Sequence, residues 1–242
     1  MAKKNGKLPL IEKEAIMCNR NNKAIRSSRY FLFSAFYFLL LTSCLSFLFA
    51  QAPDTLWTKI HDGDWGNTVQ QTLPDSGYII AARGNGGGIY LIKTDSLGDT
   101  LWTRNCGGAE ANSVQQTPDG GYVIAGMTHS YGTGDINVYL IKTDVSGNKV
   151  WTRTFGRSGN DWGYSVKQVS DGGYIIAGKT SGDVYLIKTN VWGIEQGSRT
   201  FGGTDFDCGY SVQQTTDGGY IVVGYKNFYS TVGSDVYLIK TH

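Results

Sequence analysis

Four kinds of short segment recur along residues 52–242, and each has the residue pattern of a β-strand. In the second repeat these segments read SVQQT, GYVIAG, VYLIKT and VWTRTF. They are rich in Val, Ile, Tyr, Thr and Trp, which favour strands, and none has the 3.6-residue period of an amphipathic helix. The VYLIKT segment is apolar on both faces apart from its lysine, so it must be covered on both sides. The pattern predicts four strands in every repeat.

Turn-forming residues separate these segments. Asp-Gly-Gly stands between the first and second strands at 119–121, 171–173 and 217–219, and Asp-Ser-Gly takes its place at 75–77. Asp-x-x-Gly stands between the third and fourth strands at 95–98 and 144–147. Glycine tolerates the positive φ angles that tight hairpins require. We therefore predict that successive strands are antiparallel and joined by hairpins.

The repeats have a period typical of propeller blades. Trp57, Trp102, Trp151 and Gly197 occupy the same position in successive repeats, at spacings of 45, 49 and 46 residues. One four-stranded unit of this length cannot bury its own faces, whereas stacked units can. The sequence therefore predicts an all-β fold, a β-propeller built from four four-stranded blades.

The order of segments also predicts how the ring closes. Leu56–Ile60 resembles a fourth strand and precedes the first blade, whereas Tyr237–His242 is a third strand with no fourth strand after it. We expect the N-terminal strand to complete the last blade. Two alternatives remain open at this stage: a fragment of a larger propeller, and two chains that together form one eight-bladed ring.

The first fifty residues differ in composition from the rest. A basic region at 1–29 precedes the apolar run 30–50, and small residues follow it. This order is typical of a secretory signal peptide, with cleavage after Ala50 or Ala52, and it predicts an exported protein. The run is long enough to serve instead as an uncleaved membrane anchor. Leu41–Cys44 also resembles a lipobox, which would place a lipid on Cys44.

The charge of the remaining chain disfavours nucleic acid as a partner. Eight of the 22 Lys and Arg residues and two of the 20 Asp and Glu residues lie in the first fifty positions. The rest therefore carries 14 basic and 18 acidic residues, a net charge of −4. No basic surplus is left to attract phosphates. The two remaining cysteines, Cys106 and Cys208, occupy unrelated repeat positions, and we expect both to be free thiols.

The repeat, DGGYxIAG followed by DVYLIKTDxxGNxxWTRTFGG, resembles one found in exported bacterial and archaeal proteins, usually within larger predicted propellers. The resemblance covers nearly all of residues 52–242. The repeat is also similar to quinoprotein-type propellers, whose blades end in a Gly-x-x-x-Trp docking motif. Gly98–Trp102 and Gly147–Trp151 match that spacing. In those enzymes the Trp docks blades, so the resemblance implies a fold and transfers no catalytic residue.

A binding site is expected on the face that carries the loops between strands two and three and the crossovers between blades, which we call the crossover face. Loops held by a rigid scaffold commonly carry function. Aromatic rings beside carboxylates would suit a carbohydrate or peptide ligand. A repeated Asp before Gly also serves simply as a turn or cap, and a repeated Trp as packing. The candidates are Asp64, Trp65, His129, Tyr131, Asp161, Trp162, Asp207, Phe228 and Tyr229.

Enzymatic signatures are weak in this sequence. It has no Gly-x-Ser-x-Gly motif, no P-loop and no histidine pair at metal-ligand spacing, so no catalytic residue, metal or cofactor is predicted. The repeated lysines Lys93, Lys142, Lys188 and Lys240 are expected to pack along strands with solvated ammonium groups. We expect a non-catalytic module that binds carbohydrate, peptide or protein. The alternatives are a hydrolase or quinoprotein-like enzyme, and a fragment of a larger propeller.

Overall fold

Strands account for all the regular secondary structure in the residues that the computed structural model describes, which are 55–108, 110–129, 135–226 and 233–242. The first sheet contains β1 (Trp65–Gln71), β2 (Tyr78–Arg83), β3 (Ile89–Thr94) and β4 (Thr100–Gly107). The second contains β5 (Glu110–Gln116), β6 (Tyr122–Thr128), β7 (Asn137–Thr143) and β8 (Lys149–Phe155). The third contains β9 (Asp161–Gln168), β10 (Tyr174–Thr180), β11 (Asp183–Thr189) and β12 (Glu195–Phe201). The fourth contains β13 (Cys208–Gln214), β14 (Tyr220–Lys226) and β15 (Asp235–Thr241).

Every sheet is an antiparallel meander in sequence order, so the predicted blades are confirmed, and we number them 1 to 4. The predicted leader at 1–50 lies outside the described residues. Within the described ones, no helix is long and apolar enough to cross a bilayer.

The Asp-Gly-Gly turn is held by its own aspartate. In blade 2, Asp119 accepts hydrogen bonds from the Thr117 hydroxyl and from the backbone N–H of Gly121. Gly121 has no room for a side chain, because a Cβ there would meet the Thr143 carbonyl and the Lys142 ammonium. Burial raises the pKa of Asp119, but the hydrogen bonds from Thr117 and Lys142 outweigh it and leave that pKa below its usual value. The repeated stretch therefore folds a hairpin and needs no ligand.

Two of the four repeated lysines, Lys93 and Lys142, differ from the prediction of solvated head groups, whereas Lys240 is exposed. Lys93 and Lys142 are buried, and each ammonium group contacts the aspartate of its own turn, at 2.6 Å from Asp75 and 2.9 Å from Asp119. Each also donates to the backbone carbonyl of the next residue. A buried ammonium group is tolerated only with such partners. The lysine therefore fastens the third strand to the first turn of the same blade.

Apolar residues fill the spaces between neighbouring blades. Ile79, Ala81, Ile89 and Leu91 of blade 1 pack against blade 2, and equivalent residues join blades 2 and 3 and blades 3 and 4. The innermost strands are also linked by side chains. The Gln115 side chain, for example, accepts a hydrogen bond from the backbone of Gln168 at 2.8 Å. The core is thus a series of inter-blade layers.

Tryptophan docks the outer strand of one blade against the next blade. Trp102 lies edge-to-face with Tyr122 at 5.9 Å, and Trp151 with Tyr174 at 5.8 Å. A Cβ on Gly147 would lie 2.6 Å from the Trp102 ring, so only glycine allows this contact. This confirms the docking role implied by the Gly-x-x-x-Trp resemblance. Gly197 stands where the third such Trp would be.

The N-terminal strand differs from the predicted closure. Trp57 packs edge-to-face on Tyr78 at 5.8 Å, and Lys59 pairs with Asp99 at 2.6 Å, so this segment docks on blade 1 as a fourth strand docks on the blade after it. No pairing joins it to β15 among the described residues, and the fourth sheet has three strands. Docking on blade 1 is local, whereas pairing with β15 needs blade 4 to lie beside blade 1.

Candidate functional site

Two tryptophans on the crossover face, one on blade 1 and one on blade 3, each pair with a cation. Trp65 at the start of β1 lies directly opposite Arg83 at the end of β2, and the guanidinium carbon is 4.8 Å from the centre of the indole ring. Trp162 lies opposite Lys179 in the same way, with the ammonium nitrogen 3.9 Å from the ring centre. Antiparallel pairing places both members on one side of the sheet. Each cation thereby orients its indole ring.

Two carboxylates surround the guanidinium group of Arg83. Its Nε lies 3.7 Å from Asp64 Oδ2, and its Nη1 lies 3.8 Å from Glu110 Oε1 of the neighbouring blade. All three side chains are partly exposed, so the pairs contribute little to stability. They hold Arg83 across the junction of blades 1 and 2. This local group has two acidic side chains and one basic one.

A cleft of about 370 Å³ opens beside this group, between blades 1 and 2. Its walls include Arg83, Glu110, Asn105 and His129, and the loop Gly86–Gly88 lines it on the blade 1 side. All three of these glycines have φ angles near +90°, and a Cβ on Gly86 or Gly87 would meet open space. Polar groups thus line a groove with an open glycine wall, next to an indole ring that is 53% exposed.

Of the aromatic and histidine residues predicted on the long loops, His129 is described and lies exposed at this cleft. Tyr131, Phe228 and Tyr229 lie outside the described residues. The structure therefore brings together Asp64, Trp65 and His129 at one end of the molecule's crossover face. Trp162 lies on blade 3 of the same face.

Asp161 and Asp207 have another position. Both are buried, which keeps them from contact with a ligand on the surface. Asp161 accepts a hydrogen bond from the backbone N–H of Arg157 at 2.8 Å, across the crossover into β9. The carboxylates of Asp207 and Asp183 both approach the position that a Cβ on Gly202 would occupy. Asp161 supports the capping interpretation, in which the carboxylate satisfies a backbone group.

The carboxylates of Asp183 and Asp207, between blades 3 and 4, repel each other when both are ionised. Burial and the nearby charge of Asp207 raise the pKa of Asp183. Both carboxylates lie beside Gly202, at the crossover into β13. The equivalent position in blade 2 holds the neutral Asn137, whose side chain approaches Gly156 in the same manner.

A cavity on the opposite face was not predicted from the sequence. It measures about 780 Å³, and the glutamines at the ends of the four inner strands line much of it. Several of these amides are already used between blades: Gln116 bonds to the backbone of Leu73 in both directions, at 2.8 and 2.9 Å. Such bonds account for the repeated Gln-Gln pair as a structural feature.

The environment of the two cysteines is that of structural thiols. Cys106 and Cys208 are free, as predicted, and both are buried, which raises their pKa values to about 11 and about 12. A thiol protonated at neutral pH is a poor nucleophile. Among the described residues no group of three or more His, Cys, Asp or Glu side chains is placed to hold a metal ion.

The sequence did not single out Arg83, Glu110, Asn105 or the glycine loop. Arg83, opposite Trp65, occupies a repeat position that holds a different residue in every blade. Glu110, opposite Met127, stands where blades 1 and 3 have Trp65 and Trp162. A position where the residue changes from repeat to repeat could have indicated a functional residue, because a purely structural role would keep the same residue in every repeat. The contact between Arg83 and Glu110 crosses a blade junction.

Comparison with known proteins gives structural likeness alone. No family model and no curated protein matches the chain. A crystal structure of a protein of unknown function from Bacteroides caccae is similar at 16% identity and a TM-score of 0.47, over 69% of this chain and 56% of that one. A bifunctional GH43-CE protein of Bacteroides eggerthii is similar at 17% identity and a TM-score of 0.42, over 73% of this chain and 24% of that one. The chain thus spans about half and about a quarter of these two proteins.

Proposed function

We propose that this chain is an exported, non-catalytic binding module of the β-propeller type that holds a neutral carbohydrate at the cleft between blades 1 and 2. The observation that carries the proposal is the indole ring of Trp65, 53% exposed and fixed by Arg83 beside that cleft. Exposed aromatic rings with nearby hydrogen-bonding groups suit sugars, which have apolar C–H faces and polar hydroxyl edges.

The polar groups around the cleft match hydroxyl groups. Glu110 accepts hydrogen bonds, Arg83 donates them, and the Asn105 amide does both. A ring lying on Trp65 would reach these groups through its edge. Fixed side chains bind at a lower entropic cost than mobile ones, and Arg83 is held by Asp64 and Glu110 on two sides.

The charge at the cleft favours a neutral sugar over an acidic one. Two carboxylates and one guanidinium leave the group formed by Asp64, Glu110 and Arg83 with a net charge of −1. A uronic acid would meet an arginine already paired and a carboxylate on either side of it. Neutral hexose or pentose chains avoid that repulsion.

Export belongs to the same proposal. A basic segment followed by an apolar run supports delivery across a membrane, where polymeric carbohydrates are found outside the cell. Three fates of the leader are compatible with export: cleavage near Ala50, anchoring in the membrane through residues 30–50, and lipidation of Cys44. Mass spectrometry of the protein recovered from intact cells distinguishes them by the mass of its N-terminal peptide.

Binding is tested by titrating the full chain with cellohexaose, xylohexaose and maltohexaose, using hexagalacturonate as the acidic probe, in a calorimeter. We expect at least one neutral probe to bind and the acidic probe to bind at least about tenfold more weakly, a difference of about 1.4 kcal/mol. Trp65→Ala should weaken binding of the neutral probe by at least about tenfold.

The matched control is Trp192→Ala, which removes an equally exposed indole, 62% accessible, from the turn on the opposite face. It should leave binding unchanged. Equal losses in the two variants would contradict the proposed site, and no binding of any neutral probe would contradict the carbohydrate. Chromatography of the probes after incubation should show no cleavage; cleavage products that disappear in an equally well folded Glu110→Gln variant would indicate an enzyme.

A further inference from the structure

The two ends of the row of blades carry exposed faces that are repeat copies of faces buried between blades. Each blade has a forward face, which packs on the blade after it, and a rear face, which packs on the blade before it. In blade 1 the forward face consists of Ile79, Ala81, Ile89 and Leu91, all fully buried against blade 2. Blade 4 has the same kind of forward face, and blade 1 the same kind of rear face.

The forward face of blade 4 is apolar and uncovered. Val236 and Leu238 of β15 are 82% and 64% exposed, although their counterparts Val138 and Leu140 in blade 2 are at most 1% exposed. Val223, on the neighbouring strand, is also exposed, whereas the alanine at the equivalent position of blades 1 to 3 is fully buried. These residues have the composition of an inter-blade layer without the second half of the layer.

The rear face of blade 1 is likewise apolar and uncovered. Val69 is 62% exposed, whereas its counterparts Val114, Val166 and Val212 are at most 5% exposed because the preceding blade covers them. Ile80 lies beside it, and together with Trp57 and Tyr78 these residues line an open cleft of about 430 Å³. The cleft faces outward from the row of blades.

The missing strand of blade 4 lies at the other end of the molecule. β15 has no fourth strand beside it among the described residues, and the segment at Trp57–His61 docks on blade 1 as a fourth strand does. A Cβ on Gly98 would lie 2.7 Å from the Trp57 ring, as one on Gly147 would lie 2.6 Å from the Trp102 ring. Three strands at one end and a segment with the sequence of a fourth strand at the other would together make a complete blade.

We infer that two copies of this chain assemble head to tail, with the forward face of blade 4 in each copy packed on the rear face of blade 1 in the other. The Trp57–His61 segment of one copy then pairs with β15 of its partner and completes that blade. The contact is heterologous, and it closes into a ring when both ends of both chains are joined. Two copies give eight blades, within the usual range of four to eight, whereas three copies would give twelve.

The proposed strand pairing has a defined register. Leu91 lies opposite Arg104 in blade 1, and Leu140 lies opposite Arg153 in blade 2. By the same repeat positions, Leu238 should lie opposite Lys59 of the other copy. A cysteine at each of these two positions would then face the other directly across the pair of strands.

Cysteine cross-linking tests this register and the identity of the partner together. The test uses the full chain carrying Lys59→Cys and Leu238→Cys, with Cys18 and Cys44 changed to Ser so that the leader provides no thiol. Oxidation should give a species of two chains on a non-reducing gel. A disulfide within one chain, seen as an oxidised monomer, would overturn the proposal in favour of a closed four-bladed ring, and so would the absence of any disulfide at these positions.

Complementation of single variants tests the head-to-tail arrangement. Val69→Asp and Leu238→Asp each place a charge in one proposed face and should raise the dissociation constant of the dimer by at least about a hundredfold. Val145→Asp, on an exposed turn at 60% accessibility, is the matched control and should leave association unchanged. Because Val69 and Leu238 are exposed in the single chain, the variants should keep their circular dichroism spectra.

A mixture of the Val69→Asp and Leu238→Asp chains retains one intact pair of faces. Sedimentation equilibrium should therefore find two-chain species in the mixture and single chains in either variant alone. Wild-type protein that sediments as a monomer at micromolar concentration would overturn the proposal. So would association indifferent to both substitutions, or a wild-type species of more than two chains.

Discussion

Gly197 leaves an identifiable gap in an otherwise regular series of contacts, and filling it should stabilise the protein. A cavity of about 220 Å³ lies between β12 and Tyr220, where the other junctions contain the docked Trp and its partner Tyr. A Cβ on Gly197 would meet nothing within 4 Å, and its φ angle lies outside the region reserved for glycine. Gly197 pairs with Lys188 as Trp151 pairs with Lys142. Gly197→Trp should therefore place an indole ring against Tyr220.

The size of the effect follows from the area that the ring would bury. Roughly 100 Å² of apolar surface removed from water contributes about 2.5 kcal/mol, and a compact unfolded state reduces this to about 2 kcal/mol. The edge-to-face contact adds about 0.5–1.5 kcal/mol, and replacing a strand glycine adds about 0.5–1 kcal/mol. Fixing the new side chain costs about 1 kcal/mol. We expect a net gain of about 2–3.5 kcal/mol, which corresponds to a rise in Tm of about 4–14 °C.

The measurement is thermal unfolding of wild type and Gly197→Trp followed by circular dichroism, with a second series in urea. Glu195→Trp is the matched control, because it adds the same ring to an exposed position on the same strand and should change stability by less than about 0.5 kcal/mol. Tyr220→Ala in both backgrounds should show a coupling of about 0.5–1.5 kcal/mol between the two rings. An unchanged or lower Tm for Gly197→Trp, or no coupling with Tyr220, would refute the docking argument.

Three further predictions concern charge and burial. Asp183→Asn should increase the free energy of unfolding by about 0.5–1 kcal/mol at pH 7, measured in urea, because burial and the charge of Asp207 destabilise the ionised form of Asp183 and so raise its pKa. This gain should shrink as the pH falls towards 4, and an equal gain at both pH values would contradict this cause. Asp119→Ala should lower the free energy of unfolding by about 2 kcal/mol, because it leaves the buried ammonium group of Lys142 without its partner carboxylate. Lys142→Met should lower it less, because the aspartate left behind is exposed, and the reverse order would contradict that reasoning. The lowered pKa of Asp119 means that its contribution is present above pH 4 and lost as the pH falls further. Cys106 should resist iodoacetamide at pH 8 until urea unfolds the chain, as judged by peptide mass mapping, and rapid native labelling would contradict its burial.

The blades could be predicted from sequence because their determinants are local. The Asp119–Gly121 turn, the alternation in the strands and the 46-residue period each specify a hairpin or a strand without reference to distant residues. The docking role of Trp102 was implied by the Gly-x-x-x-Trp resemblance, whereas its contact with Gly147 of the next blade was not predicted. Because the pattern is repeated, each inference rested on several copies instead of one.

The features that the sequence did not predict depend on contacts between blades and on burial. The lysine head groups were expected in solvent, but Lys93 lies under the turn of Asp75, and only the fold brings those two together. The same holds for the last blade, where pairing with β15 depends on the relative position of two distant segments. At the candidate site, Trp65 was named from its place in a crossover between blades, whereas the meeting of Glu110 and Arg83 across a blade junction was not predicted.

Fluorine NMR of the full chain labelled with 5-fluorotryptophan tests most directly whether binding and architecture use different tryptophans. The protein has six Trp residues, so it should give six resonances, assigned by single Trp→Phe replacements. Titration with the neutral oligosaccharide that binds in calorimetry should shift the resonance of Trp65 and leave those of Trp102 and Trp151 in place. A titration that moved the docked Trp102 or Trp151, or that left Trp65 unchanged while the sugar bound, would contradict the assignment of function to the crossover cleft.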